Sequence, residues 1–137
     1  MKVQPYLFFE GRCEEALEFY KKTLGATISA VMRYRDNPEP AYNPPGSDEK
    51  VMHCDFTIGQ TQLMASDGNC SGKPTFGGVS LSIEAKDAAD AKRLFDVLAD
   101  GGQVQMPMNK TFFSPAFGIV QDRFGVSWML IAPEGSA

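Results

Sequence analysis

Apolar residues recur along this chain in two rhythms, and the same order of rhythms is written twice. Residues 3–9 are bulky and apolar apart from Gln4 and Pro5 and end at Glu10-Gly11, which predicts a strand. Cys13, Ala16, Leu17, Tyr20 and Leu24 then fall at three- and four-residue spacing, while Glu14, Glu15, Glu18, Lys21 and Lys22 take the opposite face. That spacing predicts an amphipathic helix over 13–24 with Gly25 as its C-cap. Strands are predicted near 27–35, 51–58 and 62–66, the last two joined through Gly59-Gln60. The second half repeats the order. Val79, Leu81 and Ile83 alternate with serines over about 78–84, and a helix starts at Asp87 with Asp90 at the capping-box position. Ala91, Leu94, Phe95 and Leu98 form its apolar stripe, Gly101-Gly102 ends it, and strands follow near 103–107, 113–121 and 127–132.

The closing strands echo each other directly: Gly59-Gln-Thr-Gln-Leu-Met64 and Gly125-Val-Ser-Trp-Met129 are each a glycine turn leading to a strand with a central methionine. The chain therefore reads as an α+β protein of two tandem βαβββ modules, about 1–67 and 76–133, within a single domain over 1–137. Two such modules are expected to form a curved mixed sheet around a cleft, and the cleft is where a ligand belongs. Residues 36–48 hold four prolines that exclude helix and interior strand, so they are read as a loop long enough to cover a site or embrace a partner.

Composition narrows the function classes. Hydrophobic content of 43% and charge of 22% fit a globular protein, and a net charge of −4 lacks the basic face that nucleic acid requires. No apolar run approaches the roughly 18 residues of a membrane span, and the start has no signal-peptide core, so a cytoplasmic location without nucleic-acid or membrane partners is expected. Cys13, Cys54 and Cys70 are odd in number and lack C-x-x-C spacing, so they read as reduced thiols. Gly68-Asn-Cys-Ser-Gly72-Lys73 mimics a phosphate loop but is one residue short, with Pro74 where a magnesium-binding hydroxyl should stand.

Several segments carry a family resemblance: Ala16-Leu-Glu-Phe-Tyr20, Pro5-Tyr6-Leu-Phe-Phe, His53 in the third strand, Leu63-Met-Ala-Ser-Asp67, and Asp122-Arg-Phe-Gly125-Val-Ser-Trp128 after Thr111-Phe-Phe. Together with the repeat, they resemble the vicinal-oxygen-chelate superfamily of glyoxalase, bleomycin-resistance and dioxygenase proteins, in its PhnB-like branch. The resemblance implies a homodimer. It also implies four metal-ligand positions, which fall near Pro5, Met64, Gly78 and Met129. None is a carboxylate or an imidazole, so a hard divalent ion finds no donors there. The branch also carries a methyltransferase label, yet no glycine-rich strand-to-helix turn for S-adenosylmethionine is visible.

What remains is a cleft chemistry without metal. His53 is the only histidine, hence the only acid or base of its kind, and it shares a strand face with Asp55. Tyr6, Met64, Asp67, Phe113 and Trp128 are the expected ligand-binding residues, and Arg33, Arg35 and Arg123 are candidate anion contacts. The leading expectation is metal-independent binding or processing of a small organic molecule, with no cofactor. The alternatives are a divalent-metal-dependent lyase, isomerase or dioxygenase with non-standard ligands, a drug-sequestration protein without catalysis, and a dimeric accessory protein without a small ligand.

Overall fold

The computed structural model describes residues 1–136 of the 137-residue chain, which divides into two compact units, Met1–Thr75 and Phe76–Ala137. The first unit contains β1 (Tyr6–Phe8), α1 (Cys13–Leu24), β2 (Thr27–Arg33), β3 (Val51–Ile58) and β4 (Thr61–Ser66). The second contains β5 (Leu81–Glu84), α2 (Ala88–Ala99), β6 (Gln103–Asn109), β7 (Phe117–Gln121) and β8 (Ser127–Ile131). Each unit is a four-stranded mixed sheet with one helix, ordered β1-β4-β3-β2 and β5-β8-β7-β6, and in each the first strand runs parallel to the last. The twice-written βαβββ pattern is thus realised as an α+β fold of two tandem modules.

Each helix seats its apolar stripe on one face of its own sheet. Under α1, Tyr20 stacks on Phe56 with ring centroids 6.3 Å apart, and Cys13, Ala16, Cys54 and Ala65 are fully buried. In the second unit Ala91, Leu98, Val120 and Leu130 are likewise buried to 0% exposure. Helix α1 stops where the sequence predicts, because Gly25 takes the left-handed conformation (φ +66°) and its N–H bonds back to the Tyr20 carbonyl. The α2 cap departs from the simple box. Asp87 accepts from the Asp90 N–H, as expected of an N-cap, but the Asp90 carboxylate accepts from the N–H of Lys86, one residue earlier than the box prescribes.

The edges of elements moved more than their existence. Strand β1 shrinks to three residues, and the stretch before Phe117 forms a turn rather than the start of β7. Strand β2 stops at Arg33, short of the predicted 35; a single 3₁₀ turn follows over Tyr34–Asp36, and a second over Pro40–Tyr42 in the proline-rich loop, where a proline at the first position loses no hydrogen bond. That loop closes on itself: Arg35 N–H reaches the Asp48 carbonyl, and Asn43 bonds both Asn37 and the Tyr34 carbonyl. Among the described residues no helix is long and apolar enough to cross a membrane.

Candidate functional site

Strand alternation decides which side chains can act together. On β3, Cys54 and Phe56 point to α1, so His53 and Asp55 lie on the opposite face. Met64 pairs with Asp55 on one side and with Tyr6 on the other, which puts all three on that same face. The outcome is a short polar chain across three strands. The Tyr6 hydroxyl lies 3.0 Å from His53 Nδ1, and His53 Nε2 lies 3.2 Å from Asp55 Oδ1. Phe8 flanks the chain, its ring centroid 4.9 Å from that of Tyr6.

Burial raises the Tyr6 hydroxyl above the ordinary phenol range, only partly offset by a hydrogen bond with Ser66, so at neutral pH it keeps its proton. Tyr6 therefore donates to Nδ1, the imidazole carries its own proton on Nε2, and Asp55 accepts that proton. His53 and Asp55 remain 37% and 26% exposed at the side chain, enough for a ligand to reach them. In this arrangement Asp55 fixes the imidazole and steadies its positive charge, and the imidazole can take the Tyr6 proton when Tyr6 removes one from a bound molecule.

The other expected site residues sit elsewhere. Asp67 is 1% exposed, and its carboxylate accepts from the N–H groups of Gly11, Cys13 and Val51, tying the start of α1 to β3. Trp128 is 2% exposed. It pairs with Val120 in β7 beside Gly118, whose missing side chain lets Phe95 of α2 approach, so it belongs to the helix side. Its Nε1–H donates to Asp122, whose other oxygen accepts from the N–H groups of Phe124 and Val126. The Asp-x-Phe-Gly-Val-x-Trp signature is thus a hairpin clasp. Phe113 lies on the turn before β7 and packs edge-on against Phe117 and Phe112. The arginines are engaged: Arg33 with Glu14, Arg35 with Glu49, Arg123 with Asp100.

The phosphate-loop mimic meets the same fate. A surface cavity of about 450 Å³ is lined by Phe8, Glu10, Gly68, Asn69, Ser71, Lys73 and Thr75. The Glu10 carboxylate occupies the amides that an anion would need, accepting from the N–H groups of Asn69 and Ser71.

The matching family bears the description 3-demethylubiquinone-9 3-methyltransferase and covers residues 1–131. The chain belongs to this family. It is 38% identical to the protein PA1353 of Pseudomonas aeruginosa, over 97% of this chain and 98% of that one, with a TM-score of 0.84. A PhnB protein of Bacillus cereus is 31% identical over 96% and 99% of the two chains, with a TM-score of 0.80. The fosfomycin-resistance protein FosX of Listeria monocytogenes shares the fold at 9% identity, covering 98% and 94% of the chains with a TM-score of 0.65. The PhnB-like family is therefore the setting of the site.

Neither group implied by that setting fits the residues present. A methyl donor of the nucleoside type needs a free strand-to-helix turn. Here the start of α1 is filled by Asp67 and the start of α2 by Asp87. For a metal, the expected positions lay near Pro5 and Gly78, but the strand register sets Tyr6 beside Met64 and Ser82 beside Met129. Hydroxyls and thioethers are poor donors for a hard divalent ion, and no three His, Cys, Asp or Glu side chains converge among the described residues.

Proposed function

We propose that this protein binds, and by proton transfer processes, a small organic molecule on the face of its first sheet turned away from α1, without a metal. The observation that carries the reading is the Tyr6–His53–Asp55 chain, which links β1 to β3 across β4 and ends at the hydroxyl of Tyr6. Phe8 and Met64 supply the apolar and polarisable contacts that a ring or alkyl group would meet. Tyr6 is the group that exchanges a proton with the ligand, His53 is its acid and base, and Asp55 is a positioning residue.

The protein is proposed to act as a homodimer in the cytoplasm. Edge strand β2 leaves one side unpaired and exposes Val31 and Met32, and edge strand β6 does the same with Val104 and Met106; either edge is one that a second copy would cover. Three unpaired thiols suit a reducing compartment.

Native mass spectrometry of protein purified without added metal or chelator tests the reading, with the same sample denatured to release any passenger. The expected result is a metal-free dimer carrying an organic mass that His53→Ala or Tyr6→Phe loses or binds more weakly. About one divalent ion per subunit would overturn metal independence. Retention of the same molecule at the same affinity in His53→Ala would leave binding in place and overturn the processing role.

A further inference from the structure

The helix-facing side of β3 holds a second pair of reactive groups, which the ligand face does not use. Cys13, the first residue of α1, and Cys54 are both 0% exposed, and their Sγ atoms lie 3.8 Å apart. A disulfide holds its sulfurs about 2.05 Å apart, so an approach of about 2 Å, shared between side-chain rotation and the first turn of α1, closes the gap. Cys70 is not part of this pair. It sits partly exposed on the 67–73 turn in a left-handed conformation (φ +55°).

We propose that Cys13 and Cys54 are a redox modification site, forming an intrachain disulfide when the protein meets a small hydroperoxide, and that the bond displaces His53. The electrons balance with hydrogen peroxide as oxidant. The Cys54 sulfur attacks one peroxide oxygen, the O–O bond breaks, and the first water leaves with a sulfenic acid on Cys54. The Cys13 sulfur then attacks Cys54, the S–S bond forms, the S–O bond breaks, and the second water leaves with the proton of Cys13. Two thiols lose two electrons in all, and one peroxide is reduced to two waters.

The hydrogen bond between the two sulfurs favours ionisation of one of them ahead of the other, and the steps balance equally with Cys13 attacking first. Reaching the pair requires local opening of the first turn of α1, which Asp67 holds to β3 through the N–H groups of Gly11 and Cys13. The bond would also be felt on the other face. Cys54 lies between His53 and Asp55 on β3, so drawing it toward α1 moves the strand that carries both groups of the proton chain.

The test uses full-length protein, wild type and Cys70→Ser, exposed to hydrogen peroxide, alkylated under denaturing conditions and mapped by mass spectrometry without reduction. Both proteins are expected to lose about two mass units and to yield the Cys13 and Cys54 peptides joined, with dithiothreitol restoring both thiols. Cys13→Ala should yield no such link. Free alkylation of both cysteines after peroxide, or their conversion to sulfinic acid without a link, would overturn the site. The single histidine reports the coupling: its ring-proton resonances are expected to move on oxidation and return on reduction. Unmoved resonances in protein shown to carry the bond would overturn the coupling while leaving the site.

Discussion

The two units share one scaffold and differ in what they place on the sheet face turned away from the helix. Met64 pairs with Asp55 in the first unit as Met129 pairs with Ile119 in the second, so His53 and Asp55 correspond in register to Phe117 and Ile119. The positions that carry ionisable side chains in one half carry apolar ones in the other. The helix-facing positions changed less, because each must fit under a helix: Phe56 corresponds to Val120 and Leu63 to Trp128, all of them buried. Packing constrains one face of each sheet, and the other is left for chemistry. The proposed chemistry is assigned to the first unit on this contrast.

Both units also use one buried aspartate as a clasp, and breaking it should have the largest effect. Asp67 satisfies three backbone amides, and Asp122 satisfies two amides and the Trp128 indole. Asp67→Ala and Asp122→Ala are each expected to lower unfolding free energy by about 3 kcal/mol, read by urea denaturation, because several buried donors lose their acceptor at once. A loss below 1 kcal/mol at either site would show that the clasp is not needed there.

The next test exchanges corresponding positions on the packed face. A Cβ at Gly118 would meet Met108 Sδ at 2.7 Å and Phe95 Cε2 at 2.9 Å, whereas Cys54 at the same register already carries a side chain. Gly118→Ala should cost about 2 kcal/mol by overpacking, and Cys54→Ala only about 1 kcal/mol, as measured by thermal unfolding. Equal costs would mean that the two helices sit at the same depth on their sheets.

The exposed face should tolerate its own exchange. Writing the second unit's pattern into the first with His53→Phe and Asp55→Ile is expected to change stability by less than about 1 kcal/mol while abolishing ligand-dependent spectral change. Unfolding of this double variant would show that the proton chain is needed for folding.

The smallest effect concerns the α2 cap. The Lys86 N–H, followed by the Arg93 guanidinium, holds the Asp90 carboxyl below the usual carboxylate range. A depressed folded value means that its stabilisation is present above the unfolded value and is lost as pH falls through the folded one. Asp90→Asn should therefore cost a few tenths of a kcal/mol near neutrality and nothing at strongly acidic pH, since the Arg93 partner is largely exposed. A constant deficit across the acid range would assign the effect to the neutral cap alone.

Much of the fold was legible because period and punctuation agree: α1 occupies its predicted span, and β3 matches residue for residue. The site was legible in part. That His53 and Asp55 share a face follows from period two, but their link to Tyr6 depends on β4 lying between β1 and β3, a long-range register that local pattern does not carry. Trp128 was misplaced although the sign was available. It adjoins Met129 on one strand, so the two cannot line the same face. Asp67 was expected to meet a ligand because a sequence shows a carboxylate but not the backbone amides that surround it.

The most direct test of the ligand face is an NMR titration of protein carrying ¹³C-methyl methionine, screened with aromatic small molecules and read at the His53 ring and the Met64 methyl. The account predicts that a binder moves both signals with one dissociation constant and that Tyr6→Phe weakens it. Saturable binding that leaves both signals in place would contradict the assignment of the site to the first sheet.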